Sequence, residues 1–186
     1  MAKRVIVLMG PAGAGKSSVA SYIKERFGIP QVITHTTRAM RQGEEDNVDY
    51  YFEDDQSFDQ KHFLEEVNYG GHRYGSSMEG LERAWSRNDL ASIVLDTKGG
   101  ETYQEILHDQ AWLWYVTVSK VEELEKRLVA RGDAKQAIEK RLSSAEFKRD
   151  LSLPDSLKNK AVVIENDDWT TTKRQIDGLI QGTFGN

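Results

Sequence analysis

The stretch Val5-Ile-Val-Leu-Met9, followed by Gly10-Pro-Ala-Gly-Ala-Gly15-Lys16-Ser17, decides the fold. Its five apolar residues predict a buried strand, and the next eight match the whole pattern G-x-x-x-x-G-K-[ST]. In this pattern the glycines let backbone N–H groups turn toward an anion, Lys16 supplies a positive charge, and Ser17 offers a hydroxyl to magnesium. Residues 17–27 are predicted to form a helix whose positive N-terminal end faces the phosphates. A chance glycine-rich turn would not require a strand before the motif and a helix after it. The residues expected at the triphosphate are Gly10, Ala12, Gly13, Ala14, Gly15, Lys16, Ser17 and Ser18.

The composition narrows the class of protein. The chain has 186 residues, 30% of them charged, with a formal net charge of -5 and no cysteine. This length suits one domain with small insertions. The negative charge argues against a general binder of nucleic acid or anionic membranes, and the absence of cysteine excludes disulfides and thiolate metal sites.

The N-terminus has one competing interpretation. Met1-Ala-Lys-Arg4 and the apolar residues after it resemble a signal peptide, but the apolar core ends at Met9 and Lys16 closes the stretch. We therefore expect the segment to stay in the mature protein, and we expect a cytoplasmic location.

Apolar runs that alternate with helical patterns predict an α/β fold with a five-stranded parallel sheet flanked by helices. The five predicted strands are Val5–Met9, Gln31–Thr34, Ala91–Leu95, Trp112–Val118 and Ala161–Ile164. In such sheets the ligand lies at the carboxyl ends of the strands. We expect a single domain over 1–186, with a core of 1–34, 81–130 and 151–186, a β-rich inserted lobe over 35–80, and a helical lid over 131–150.

Several motifs after the second strand follow one order: Thr34-His-Thr-Thr-Arg38, then Arg41-Gln-Gly-Glu44, Asp49-Tyr-Tyr-Phe52, Phe63-Leu-Glu65 and Arg73-Tyr-Gly-Ser76. With the phosphate loop and the arginines of the lid, they resemble the guanylate kinase family over residues 3–182. The resemblance implies a P-loop kinase fold, with 35–80 as the GMP-binding lobe. It also implies transfer of the γ-phosphoryl group from ATP, with Mg²⁺, to GMP and dGMP.

The resemblance implies that Arg38, Arg41, Tyr50 and Tyr74 bind the GMP phosphate. Planar guanidinium forks suit phosphate oxygens, and tyrosine hydroxyls donate to them. By itself, an arginine pair beside the acidic residues 44–46 is more often a solvated surface.

Carboxylates are suited to guanine because they accept hydrogen bonds from its N1–H and N2–H groups and repel the N1 acceptor of adenine. Glu65 and Asp96 are the candidates, with Thr34 and Ser76 as hydroxyl partners. Asp96 has a second interpretation as a partner of magnesium or the phosphate loop, and Glu65 could lie on a surface helix.

Two lid arginines, Arg131 and Arg141, have no acidic residue three or four positions away, which suggests that their partner is a ligand. The resemblance also implicates them in gripping ATP phosphates, and we count both with Lys16 as catalytic residues. Free solvated arginines are the alternative. Arg127 has Glu123 four positions before it and can form a surface pair. Asn166 is expected either near adenine or as the cap of the last helix.

Two other functions remain open. A related kinase could act on another phosphorylated small molecule, such as a ribose bisphosphate, but it would not need the two carboxylates. A non-catalytic binding module would not need Lys16 or the lid arginines. Departures from the family pattern, such as Met40, Val94 and a lid about one residue short, leave acceptor preference and turnover open.

Overall fold

The apolar strand before the phosphate loop lies inside a parallel sheet. The computed structural model describes residues 3–40, 43–69 and 71–184. The strands in chain order are β1 (Arg4–Met9), β2 (His35–Thr36), β3 (Tyr51–Phe52), β4 (Phe63–Tyr69), β5 (His72–Ser77), β6 (Leu90–Val94), β7 (Ala111–Thr117) and β8 (Val162–Glu165). The main sheet has the order β6-β1-β7-β8, and every pair in it is parallel. The predicted α/β class with a parallel sheet is thus confirmed.

The predicted fifth strand, Gln31–Thr34, is reduced to one bridge. Gln31 pairs in parallel with Ser92 of β6, and the Val32 N–H donates to the Ser92 carbonyl over 2.8 Å. Pro30 precedes the bridge and has no N–H to extend the ladder. At His35 the chain already belongs to a second sheet, so the main sheet has four full strands rather than five.

Helices cover both faces of the main sheet. In chain order, the helices of the described residues are α1 (Lys16–Phe27), α2 (Asp55–Asp59), α3 (Met78–Trp85), α4 (Thr97–Leu107), α5 (Glu122–Ala130), α6 (Lys135–Ser143), α7 (Ala145–Asp150) and α8 (Trp169–Phe184). Of these, α2 lies beside the second sheet, where Phe58 stacks on Phe63 of β4. Alternate residues of β1 point to opposite faces. Val7 packs in the core layer of α3 and α4, and Leu8 packs in the core layer of α1 and α8. Because both faces are covered, β1 is apolar throughout its buried length.

The second sheet, in the order β3-β2-β5-β4, is built from residues 35–77. Its interior contains a buried imidazole, because His35 is only 1% exposed. Nδ1 of His35 lies 2.7 Å from Oε1 of Glu53, and Nε2 lies 2.7 Å from the Ser77 hydroxyl. Ser77 also caps α3 by accepting from the Gly80 N–H. This hydrogen-bonded chain links β2 and β5 to the start of α3.

Within the described residues, no helix is long and apolar enough to cross a membrane.

The phosphate loop leaves β1 through Gly10, whose φ of 133° is unfavourable for any other residue. A Cβ there would lie 2.1 Å from the backbone oxygen of Val116. We therefore expect Gly10→Ala to lower the free energy of unfolding in urea by roughly 1–3 kcal/mol or more.

The matched control is Gly178→Ala in α8, where a Cβ meets no atom within 4 Å. An added methyl group in an exposed helix should raise the free energy of unfolding by about 0.5–1 kcal/mol. Equal stability of the two variants would contradict the assigned backbone geometry.

Candidate active site

The phosphate loop has the conformation that its sequence predicts. Gly10, Gly13 and Gly15 all have positive φ, and α1 begins at Lys16 directly after the loop. The Lys16 ammonium donates to the carbonyls of Gly10 at 2.6 Å and of Pro11 at 2.9 Å. Burial lowers the pKa of Lys16 to about 8, against the opposing effect of Asp150 and Asp96. The lysine is therefore folded onto its own loop, within the electrostatic range of Asp150, Asp96 and Arg141.

Asn166 stabilises the phosphate loop through a side-chain hydrogen bond. Its side-chain amide donates to the Ala14 carbonyl at 2.8 Å and accepts from the Thr172 hydroxyl at 2.9 Å. A Cβ on Gly15 would lie 2.3 Å from its amide nitrogen. The expectation that Asn166 caps the last helix is wrong, because the Asp168 carboxylate accepts from the Thr171 N–H at 2.8 Å there. Asn166 also lines the cleft described next, so an adenine contact stays a prediction.

An open cleft of about 1070 Å³ lies over the phosphate loop. Its walls come from the loop, α1, α5, α6 and the start of α8, and they include Lys16, Ser17, Arg131, Arg141 and Trp169. The cleft thus brings together most of the residues predicted to hold a nucleoside triphosphate. Gly10 and Ala14 are the exceptions, because both are buried and do not line it. Polar and aromatic side chains share its walls.

The lid arginines differ from each other. Arg131 forms a bidentate ion pair with Asp133, two residues further on, with its Nε at 2.9 Å from Oδ1. The inference that Arg131 has no local partner is therefore wrong, because helix α5 ends at Ala130 and the turn at Gly132 brings Asp133 back. Arg141 forms no ion pair within the described residues, and its charge acts on Lys16 and Asp133.

Arg127 does not form the surface pair suggested by its spacing. Glu123 pairs with Lys126 at 2.6 Å, and the Arg127 guanidinium donates to the backbone carbonyl of Asn166 at 2.7 Å. Arg127 also lines the cleft. It ties α5 to the segment that supports the phosphate loop.

In the second sheet, Arg38 is held in one orientation. Its guanidinium pairs with both oxygens of Glu44, at 2.9 and 2.7 Å, and donates to the Ala39 carbonyl. Arg38 also lies over the Tyr50 ring, and the Tyr50 and Tyr74 rings are in edge contact at 6.1 Å. The structure thus brings three of the predicted phosphate ligands together, while Arg41 lies outside the described residues.

Glu65 lies on β4, so the surface-helix interpretation is wrong. It pairs directly with Ser76 of β5, and a register shift after Phe63 sets this alignment. Glu65 accepts no hydrogen bond from a described residue. Burial raises its pKa to about 7, with smaller contributions from Asp96 and Glu66. The carboxyl group is therefore poised to ionise when hydrogen-bond donors arrive.

Asp96 caps α4, accepting from the Gly99 N–H at 2.6 Å. Its second oxygen accepts from Arg149 at 2.8 Å. The charge of Asp96 acts on both Glu65 and Lys16, and helix α4, which Asp96 caps, packs against both β1 and β4. Both interpretations of Asp96, base ligand and partner of the phosphate loop, fit this position. Thr34, the remaining predicted base ligand, is half-buried immediately before β2.

Sequence reasoning missed two residues at the end of α7. Asp150 is 7% exposed and accepts from the Thr97 hydroxyl at 2.5 Å, while Arg149 contacts both Asp150 and Asp96. The sequence signal that could have identified them is their position: Arg149 and Asp150 are the last two residues of the predicted lid.

Comparisons with known proteins agree with this geometry. The guanylate kinase family model matches residues 2–182. A guanylate kinase of Fusobacterium nucleatum is 35% identical over 144 residues, which are 75% of this chain and 77% of that protein. A guanylate kinase of Thermus thermophilus is 36% identical over 152 residues, which are 79% of this chain and 69% of that protein.

A solved structure shows the same fold. The crystal structure of guanylate kinase from Anaplasma phagocytophilum superposes with a TM-score of 0.62 at 23% identity, covering 98% of this chain and 86% of that one. From the family match and the two relatives, we conclude that this chain belongs to the guanylate kinase family.

Proposed function

We propose that the protein transfers the γ-phosphoryl group of ATP to GMP, and to dGMP, giving ADP and GDP. The observation that carries this proposal is the position of Asp96 at the start of α4. Helix α4 packs both against β1, which leads into the phosphate loop, and against β4, which carries Glu65. A triphosphate on the loop and a base at Glu65 would therefore lie on either side of Asp96, with their phosphates facing each other for direct transfer.

The donor half of the site suits ATP. The loop amides and Lys16 would hold the β- and γ-phosphates, and Arg141 would add positive charge as the γ-phosphoryl group moves. Asn166 keeps the loop in place. Arg131 would have to exchange Asp133 for a phosphate oxygen. Because Arg131 is 57% exposed at its side chain, water already screens that ion pair.

The residues present fit magnesium in the form that accompanies ATP. Ser17 lies exposed at the mouth of the loop beside Lys16, and within the described residues no group of three or more His, Asp or Glu side chains forms a cage of its own. Magnesium commonly takes one or two protein oxygens and completes its shell with phosphate and water. When bound, it would neutralise charge on the β- and γ-phosphates.

The acceptor half suits a guanine nucleotide. Three of the five Arg38 N–H groups are used in the contacts with Glu44 and Ala39, and Arg38 also interacts with the Tyr74 hydroxyl. A phosphate group would share these donors with Glu44 and Tyr74. Tyr50, Tyr74 and Arg41 would add further donors. Glu65 and Asp96 would accept from guanine N1–H and N2–H. Adenine offers an acceptor at N1, which a carboxylate repels.

The reaction needs no general base, since the acceptor phosphate oxygen is already anionic. Catalysis then depends on alignment of the two phosphates and on stabilisation of charge. The helical lid over 131–150 would exclude water and so limit hydrolysis of ATP. We place this chemistry in the cytoplasm.

The two alternative functions predict different responses. A kinase for another phosphorylated small molecule would have no use for the aligned pair of Glu65 and Ser76. A binding module would have no use for Lys16 folded into a phosphate loop. The acceptor assay below distinguishes all three.

The test is ADP formation from ATP and magnesium with GMP, dGMP, AMP, UMP or CMP as the acceptor. We expect activity with GMP and dGMP. Lys16→Ala should lower kcat at least about 100-fold, because a preorganised charge at the phosphates is lost. Glu65→Ala should raise the KM for GMP about tenfold or more, because two guanine donors lose their acceptor.

The matched control is Glu66→Ala, the exposed neighbour on the same strand, which should change the KM for GMP less than about twofold. If folded wild-type protein forms no ADP with GMP, the proposed activity is wrong.

Glu65 should also report GMP binding through its ionisation. Its pKa of about 7 in the free protein means that it is half protonated near neutral pH. Hydrogen bonds from guanine favour the carboxylate, so its pKa should fall by about one unit or more on binding, and GMP affinity should rise with pH through about 7.

The measurement is a carbon NMR titration of the Glu65 carboxyl group, assigned from its absence in Glu65→Gln. An unchanged midpoint with saturating GMP would show that the base does not contact Glu65.

A further inference from the structure

Two buried hydroxyl groups near Glu65 have no hydrogen-bond partner of normal geometry among the described residues. Tyr103 and Ser76 are both fully buried, and neither hydroxyl forms a hydrogen bond of normal geometry with a described residue. The two hydroxyls are nevertheless close enough to act on each other, and Tyr103 also lies within electrostatic range of Glu65. The two hydroxyls are polar groups in an otherwise apolar core cluster, which contains Met9 and Leu81 together with Tyr103.

The helix explains why Tyr103 reaches this spot. Tyr103 follows Asp96, the cap of α4, by seven residues, so the two residues lie on the same side of the helix about two turns apart. Helical side chains lean toward the N-terminus. The Tyr103 hydroxyl therefore leans toward the end of α4 where Asp96 lies. Helix α4 packs on β4, which carries Glu65.

A phenylalanine would fill the same space without a buried hydroxyl. An unsatisfied buried hydroxyl destabilises the folded chain. Its presence is explained if a ligand completes the hydrogen bonding. Burial raises the pKa of Tyr103, so it stays a protonated donor in the physiological range.

A site that binds guanine must offer hydrogen-bond donors as well as acceptors. Glu65 and Asp96 can only accept, whereas the O6 atom of guanine must receive a hydrogen bond. Ser76 can supply it. A serine hydroxyl rotates, however, and could equally accept from the N6 amino group of adenine. Ser76 alone therefore discriminates poorly between the two purines.

We propose that Tyr103 is a positioning residue for purine selection. In the GMP complex its O–H donates to the Ser76 oxygen, so that the Ser76 proton points at O6 of guanine. Successive hydroxyls in such a chain polarise and strengthen each other. Adenine would meet this fixed donor with its own N6–H donor. This inference rests on the proposed function, because it places the base against Ser76 and Glu65.

The test compares Tyr103→Phe with the wild-type chain. We expect kcat/KM for GMP to fall about tenfold, the value for one lost hydrogen bond of about 1.4 kcal/mol. The value for AMP should be unchanged or raised, so that the GMP/AMP ratio falls. Without nucleotide, the urea midpoint should be unchanged or higher, because an unsatisfied group has been removed.

The route through Ser76 is tested with a double-mutant cycle. In a Ser76→Ala background, Tyr103→Phe should change the GMP/AMP ratio by less than about twofold. A full tenfold effect in that background would overturn the route through Ser76. Tyr115→Phe is the matched control, because the Tyr115 hydroxyl already donates to the Asp150 carbonyl at 2.8 Å. That control should lower the urea midpoint and leave the GMP/AMP ratio unchanged.

An unchanged GMP/AMP ratio in Tyr103→Phe would overturn the proposal. Failure of the proposed function is distinguished by the wild-type protein itself. If it forms no ADP with GMP, the same comparison is made with the dissociation constants of GMP and AMP by calorimetry. Absence of GMP binding in that experiment would overturn both the function and the role of Tyr103.

Discussion

The site depends on one buried amide, the side chain of Asn166. This residue continues β8, where its backbone N–H donates to Thr117 at 2.8 Å, and its side chain holds the Ala14 carbonyl. Arg127 of α5 donates to its backbone oxygen, and Thr172 of α8 donates to its side-chain oxygen. A flexible glycine-rich loop loses much conformational entropy when it binds an anion. Fixing the loop to a strand and two helices transfers part of that cost from binding to folding.

A second constraint is the burial of the Glu65 carboxyl group close to a second carboxylate, Asp96. Burial is the main cause of the raised pKa of Glu65, and the charge of Asp96 adds a smaller contribution. Asp96 accepts hydrogen bonds from the Gly99 N–H and from Arg149, whereas Glu65 receives none from a described side chain. A ligand with N–H donors would therefore favour the ionised form of Glu65. Arg149 extends from the end of α7, so its ion pair joins Asp96 to the predicted lid.

The sequence predicted the parts of the site that depend on neighbouring residues in the chain. The phosphate loop is contiguous, so its glycines, Lys16 and the flanking strand and helix could be recognised together. The pairing of Arg131 with Asp133 was missed because spacings of three and four describe helices, and this pair forms across the turn after a helix ends. The short pairing at Gln31 and the burial of the Tyr103 hydroxyl depend on contacts between distant segments, which no local pattern encodes.

Strand alternation lets one pair of strands serve both stability and recognition. His35 and Ser77 point into the second sheet's interior, where they hydrogen bond at 2.7 Å. Neighbouring residues on a strand point the other way, so Ser76 faces away from that interior. The hydrogen bonds of the buried imidazole thus fix the strand that carries Ser76, and Thr34 directly precedes the other strand. Burial also lowers the pKa of His35, so the neutral ring is the favoured form near neutral pH. The residues that would read the base are held by hydrogen bonds that do not involve the base.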